Sequence, residues 1–204
     1  MSTANVLVMI DHLVGRYGLS GTAGRAQCLN WVQLAEEDVW GAGMWWFKQQ
    51  RVDVAMSAGV REYALSTANG RIHALEQGGG GEMTRLHPDD FRSFIGNDVT
   101  GGYPELWCNL EPNSTGYPRV MVWPVPTGVE TLKAVYDKAV TTLADSTGSV
   151  SKVPVDWRHL VLLRAEVYAS LHLGQQGQAQ GFMKAFEEGL AALRELNGAQ
   201  LVRL

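Results

Sequence analysis

Gly102-Tyr103-Pro104-Glu105-Leu106-Trp107, Arg119-Val120-Met121-Val122-Trp123-Pro124-Val125-Pro126 and Val153-Pro154-Val155-Asp156-Trp157 mark the places where the chain changes character. The first two are short strands punctuated by proline, which cannot donate to a sheet ladder and so marks strand ends. The third opens a long helical pattern, in which Trp157, Leu160, Val161, Arg164, Val167, Tyr168 and Leu171 fall on one face. Asp156 or the Pro154 turn starts that helix and Gly174 ends it.

Working outward, residues 2–17 place Val6, Met9, Ile10, Leu13, Val14 and Tyr17 at threes and fours, with Ser2 or Thr3 as cap and Gly18 as stop. Beyond Ser20, the residues Cys28, Trp31, Val32, Ala35, Val39 and Ala42 keep the helical period, which predicts a second helix packed antiparallel on the first. Phe182, Phe186, Gly189, Leu193 and Leu196 give a final helix that stops at Asn197-Gly198. In between, the period falls to two. Val52, Val54 and Met56 alternate with Asp53 and Ala55, and a Ser57-Ala58-Gly59 turn leads to Val60-Arg61-Glu62-Tyr63-Ala64-Leu65, the pattern of a β-hairpin. Strands follow over residues 71–76, 83–86, 105–110 and 119–123, and over 131–140, where a helix is the alternative. Gly78-Gly79-Gly80-Gly81 reads as a flexible loop tip, and without a following Lys-Ser or Lys-Thr it is not a phosphate loop. Pro88 with Asp89 and Asp90 begins a short helix, with carboxylates at its positive end.

The predicted fold is α+β: N- and C-terminal helices form a helical bundle around an intervening antiparallel β subdomain. The boundaries are residues 1–43 and 150–198 for the bundle, 44–149 for the β-rich part and 199–204 for a C-terminal tail.

Composition excludes several function classes. A chain of 204 residues with 46% hydrophobic content buries a real core. A net charge of -4 does not suit wrapping of nucleic acid, which needs clustered Lys and Arg. Cys28 and Cys108 lack zinc-site spacing, and no basic, apolar leader opens the sequence, so a reducing cytoplasm is expected. No apolar run reaches the ~20 residues of a bilayer span, so no membrane anchoring is expected. His73, His87, His159 and His172 show no ligand spacing, and no metal or cofactor is predicted. Asp11 and His12 point apart on a helix, while Asp156 and His159 suit a helix-start ion pair. Glu62, Glu76, Glu105 and Glu111 read as solvated strand faces rather than a glycosidase pair. No catalytic residue is assigned.

Two features point to contacts instead. Trp40, Trp45 and Trp46 cluster where the second helix meets the strands, as interface or junction aromatics. The tail residues Leu201, Val202, Arg203 and Leu204 form an apolar segment without a home in its own core.

The order of these segments resembles the head-to-tail adaptor, or connector and neck, proteins of tailed bacteriophages, especially those of short-tailed phages. The resemblance rests on Leu86-His87-Pro88-Asp89-Asp90-Phe91, then Gly102-Tyr103-Pro104, then the strand into Pro124-Val125-Pro126, then Pro154-Val155-Asp156-Trp157 leading into Ala-rich helices. It implies a structural virion protein, not an enzyme. Such a protein forms a ring of about twelve copies beneath the portal, extends the DNA channel without binding DNA specifically, and docks the tail or the next neck protein. It also implies assembly in the host cytoplasm and a final place in the virion neck. Leu201, Val202, Arg203 and Leu204 are then the candidate portal-docking tail. A peptidoglycan-cleaving hydrolase and a cellular helical scaffold are the alternatives, separated by a lytic zone on a cell-wall gel and by gene neighbourhood.

Overall fold

The computed structural model describes residues 5–65, 72–78, 81–95, 101–114, 116–138, 142–146 and 149–201. The chain forms two compact units, Met1–Phe47 with Val140–Leu204, and Lys48–Ala139. The first is helical and the second is built on β-sheets, so helices from both ends of the chain flank a β region.

The helical unit contains α1 (Val6–Tyr17), α2 (Gly21–Gly41), α4 (Arg158–His172) and α5 (Gln176–Leu201). The cap of α1 is Asn5, whose side chain accepts from Leu7 N, rather than Ser2 or Thr3, which lie outside the described residues. Gly18, at φ 64°, ends the helix in the left-handed conformation that glycine adopts without a Cβ clash. Val6, Met9, Ile10 and Leu13 are buried, matching the periodicity that predicted them. Helix α4 packs against α1, α2 and α5. Its inward residues Leu160, Val161, Ala165 and Ala169 join Val32, Ala35, Val39, Trp45, Phe186 and Leu193 in one core. Leu171, expected on that face, is exposed. The start of α4 is a short 3-10 turn, Val155–Trp157, and its cap residue Trp157 makes no side-chain cap bond. Gly189 lets α5 approach α4, since a Cβ there would lie 2.4 Å from Leu160 Cδ2.

One expected boundary moves. Helix α5 does not stop at Asn197-Gly198 but runs to Leu201. The Asn197 side chain, which read as a stop signal, is spent on tertiary hydrogen bonds described below.

The β unit contains β1 (Gln49–Met56), β2 (Glu62–Ala64), β3 (Ile72–Gln77), β4 (Thr84–Arg85), β5 (Leu106–Leu110), β6 (Arg119–Trp123), β7 (Glu130–Asp137) and the helix α3 (Pro88–Ile95). One sheet runs β1-β7-β3 and the other β2-β6-β5-β4. All pairings are antiparallel except β4 with β5, which is parallel. Met56, Leu75, Leu132, Ala134, Trp107, Val120 and Val122 fill the shared core. Of the segment 131–140, open between strand and helix in the sequence, residues 131–137 belong to strand β7, with Leu132, Ala134 and Tyr136 turned inward, and residues 139–140 lie outside the described residues.

The expected hairpin of β1 with β2 does not form. All eight residues of β1 pair with β7, from Gln49 opposite Asp137 to Met56 opposite Glu130, while β2 pairs with β6. Residues 57–60 do turn, with Val60 N donating to Ser57 O at 3.2 Å, but they carry the chain from one sheet to the other. On the far side of β3, Met83 N donates to Leu75 O at 2.8 Å and Thr84 N to Glu105 O at 2.8 Å, so this return stitches the two sheets. Of the four-glycine loop, Gly79 and Gly80 lie outside the described residues. Gly78 runs so close to β7 that a Cβ would lie 3.1 Å from Thr131 O.

Candidate functional site

Adjacent Asp11 and His12 leave α1 in different directions, as the helical pitch requires. Asp11 accepts from Arg25 at 2.7 Å, and Arg25 also donates to both oxygens of Asp145 at 2.8 and 2.9 Å. His12 Nε2 lies 2.8 Å from Oε1 of Glu166, a buried carboxylate on α4. The same carboxylate accepts from the Tyr17 hydroxyl and pairs with Arg16 at 3.3 Å. Arg16 then lies 4.8 Å over the Phe182 ring of α5. Three successive polar side chains of α1 therefore converge on one charge in α4. Burial, then the bond to Glu166, pushes the Tyr17 hydroxyl above its ordinary pKa.

Ser170 Oγ lies 2.9 Å from the Tyr17 hydroxyl, so the cluster holds serine, histidine and acid side by side. Their order is wrong for nucleophilic catalysis: a triad needs the base bonded to the nucleophile and the acid behind the base. Here Tyr17 and Glu166 stand between Ser170 and His12, and Ser170 is fully buried. The cluster fastens helices.

A second buried acid, Glu36 on α2, accepts from Lys152 N at 2.9 Å and holds residues 151–153 against the bundle. Burial raises its pKa, and the bonds from Lys152 N and Ser151 only partly offset this. Asp156 and His159 do not form the expected ion pair; His159 Nδ1 donates to the Asp156 backbone carbonyl at 2.9 Å. Cys28 and Cys108 are buried free thiols, pushed up in pKa by burial. Among the described residues no group of three His, Cys, Asp or Glu is placed to hold a metal ion.

Between the C-terminal half of α2 and the middle of α5 lies an open groove of about 700 Å³. Met183, Phe186, Leu190 and Ala42 supply apolar surface, and Glu37, Asp38, Glu187 and Arg194 the charge. Arg164 of α4 crosses its floor, donating to Asp38 at 2.6 Å and lying 5.5 Å over Phe186.

At the end of α2 the three tryptophans surround Phe47. The Trp45 and Phe47 rings stack at 6.1 Å, while Trp40 and Trp46 meet Phe47 edge-on at 5.8 and 5.1 Å. Trp45 is fully buried and its indole N–H donates to Val39 O at 2.7 Å. Asn197 closes this corner: its Oδ1 accepts from Trp46 N at 2.9 Å and its Nδ2 donates to Met44 O at 2.8 Å. Of the candidate tail, Leu201 is the last helical residue of α5, while Val202, Arg203 and Leu204 lie outside the described residues.

In the β unit, Glu62 pairs with Arg119 and Glu76 with Arg51, both at the surface, while Glu105 and Glu111 are exposed. Sequence reasoning missed the Glu166 cluster and the Asn197 clamp. The available signal for the first was an acid set between Val161, Ala165 and Val167 on an apolar helix.

Among the described residues no helix is long and apolar enough to cross a membrane. No curated protein is matched by the chain. The family model described as SU10 adaptor protein matches residues 5–203, nearly the whole chain and both of its units. A cluster that fastens helices accords with such a structural protein. The chain belongs to the SU10 adaptor protein family, phage head-to-tail adaptors of the short-tailed type.

Proposed function

We propose that this phage adaptor assembles as a ring of about twelve copies beneath the portal, extends the DNA channel and docks the tail or the next neck protein. Assembly takes place in the host cytoplasm, and the ring ends in the virion neck. The observation that carries the reading is the family match over residues 5–203. Three physical features support it. The groove between α2 and α5 offers an apolar, charge-rimmed flank for side-by-side packing of helices. A net charge of -4 lets DNA pass during ejection without being held. The apolar segment Leu201, Val202 and Leu204 with Arg203, which begins at the last residue of α5, is the portal-docking tail of this reading. Trp40, Trp45 and Trp46 are the junction aromatics of this reading, packed around Phe47 at the end of α2.

Mass photometry and cryo-EM of the purified protein, alone and with the portal of the same phage, test the proposal. A monomer that becomes a ring on the portal is the expected result. A persistent monomer without portal affinity overturns it. Removing residues 199–204 leaves the monomer folded and weakens portal binding; unchanged binding discards the tail assignment.

A further inference from the structure

Strand β1 is an edge of its sheet and has β7 on one side only. Every second residue of an antiparallel strand directs its N–H and C=O away from its partner, so half of the β1 backbone groups face outward. Among the described residues, no backbone hydrogen bond beyond the β7 ladder reaches residues 49–56. Strand β2 borders that side but does not take these groups up, because it pairs with β6. A hollow of about 180 Å³ separates β1 from β2, lined by Val52, Val54, Tyr63 and Leu65 among others. Where residues 57–60 join the two strands, the Tyr63 hydroxyl stands in for a ladder, accepting from Ser57 N at 3.2 Å and donating to Val60 O at 2.7 Å.

An open edge recruits another strand unless it is short, bulged or broken by proline. Strand β1 is eight residues long, contains neither proline nor glycine, and keeps its register with β7 throughout, whereas β3 shifts register between Ile72 and Ala74. Its sequence, Gln49-Gln50-Arg51-Val52-Asp53-Val54-Ala55-Met56, is complementary to itself. Two antiparallel copies centred on Val52 set Val52 opposite Val52, Gln50 opposite Val54, and Arg51 opposite Asp53 at two places. Sliding one copy by two residues sets Arg51 against Arg51 or Asp53 against Asp53, and sliding it by one puts the two faces out of step. Both charges are available. Arg51 and Asp53 are exposed, and Arg51 spends only one amino group on Glu76, at 3.0 Å, of a guanidinium that carries five N–H donors.

We propose that two free copies of this chain pair edge to edge through β1, as a twofold antiparallel dimer in which the sheet β3-β7-β1 continues into the same sheet of the second copy. An open ladder binds a strand, and the charge order of β1 matches that of β1 itself. The contact involves eight residues a side, against the roughly 20–30 of a standard interface, so it is weak. At the nanomolar concentrations of mass photometry the chain is then a monomer. A twofold contact closes on itself and cannot be passed from neighbour to neighbour round a ring. The pairing therefore belongs to copies not yet assembled and parts before they join a ring. Only that last step rests on the adaptor reading; the pairing does not.

Sedimentation velocity of the full chain, from nanomolar to high micromolar concentration, tests the pairing. The wild-type chain is expected to pass from monomer to dimer and no further. Arg51→Asp and Asp53→Arg each set like charges opposite one another at both contacts, so either variant alone should associate roughly tenfold more weakly. Mixed in equal amounts, the two variants set an acid opposite a base at both contacts and should pair at the wild-type level. Damage to either fold would give no such rescue. Circular dichroism checks folding, and a reversal that does not fold is replaced by Arg51→Gln or Asp53→Asn, expected to weaken association about threefold. A wild-type chain that stays monomeric across the whole range overturns the proposal. So does association that neither substitution weakens, or that mixing the reversed variants does not restore. Growth past the dimer also overturns it, by assigning the edge to a head-to-tail contact. Failure of the adaptor reading is a separate result, seen as absence of a portal complex.

Discussion

In the helical unit a buried carboxylate, Glu166, draws three side chains of α1 onto α4, and a second, Glu36, holds residues 151–153 on α2. In the β unit the equivalent fastening is done by backbone. The eight-residue ladder of β1 with β7 and the return through Met83 and Thr84 bind its parts; of its ion pairs, Glu62 with Arg119 and Arg51 with Glu76 lie at the surface, and His73 with Asp137, 2.9 Å apart and mostly buried, adds one side-chain tie between β3 and β7. Helices satisfy their own backbone groups and so need side chains to bind one another, whereas strands bind through the backbone itself. A helical assembly therefore carries its specificity in a few buried polar contacts, and a sheet leaves its side chains free to present a surface.

The largest expected effects test whether the two cores stand separately. Trp45→Ala and Trp107→Ala each remove a fully buried ring whose N–H is bonded to a carbonyl, and each should cost about 3–5 kcal/mol. Hydrogen exchange should show protection lost in the helical unit for the first and in the β unit for the second. Equal loss in both units under either substitution would break the comparison.

Next in size is the contrast between the acids. Glu166→Ala should cost about 2–3 kcal/mol, because it strips three polar partners at once. Glu62→Ala should cost less than about 1 kcal/mol, as exposed pairs do. Urea denaturation of both variants decides it, and similar losses would end the distinction drawn between buried and surface fastening. Gly189→Ala forces a methyl into Leu160 and should cost about 1–2 kcal/mol by the same measurement. An unchanged midpoint would show that α5 moves aside freely.

The smallest effect is a slope. Glu36 holds its proton more firmly folded than unfolded, because burial disfavours its charge. Its stabilising contribution is then complete below the ordinary carboxylate range and is lost as pH rises through the raised folded value. Glu36→Gln lacks that loss, so its stability relative to the natural chain should improve as pH climbs from acid toward neutral. A gap that stays constant with pH would show that Glu36 is ionised at no cost.

Much of this was legible in the sequence. The alternation of Val52, Val54 and Met56 gave the inward face of β1, and the threes and fours of Val6, Met9, Ile10 and Leu13 gave that of α1. Alternation assigns faces but not partners, which is why β1 was paired with the next strand instead of with β7, about eighty residues away. Asn197-Gly198 carries the residues of a helix stop, yet its side chain is taken by Trp46 N and Met44 O, so tertiary bonding overrides the local signal. Glu166 could be noticed on its apolar helix, but its partners His12, Arg16 and Tyr17 lie about 150 positions earlier and nothing local names them. The family was readable because no single motif had to carry it: the succession from Pro88 to Trp157 did.

The Asn197 clamp has a mechanical side. A pull on the chain beyond Leu201 loads α5 along its axis, where the hydrogen-bonded ladder is stiffest. Four residues before that end, the load meets two hydrogen bonds to Met44 and Trp46, just ahead of the point where the chain leaves the helical unit at Phe47. Tension on the C-terminus and tension on the strand leading into the β unit thus share one anchorage. Asn197→Ala would place the two in separate load paths, visible in single-molecule pulling as an earlier release of α5.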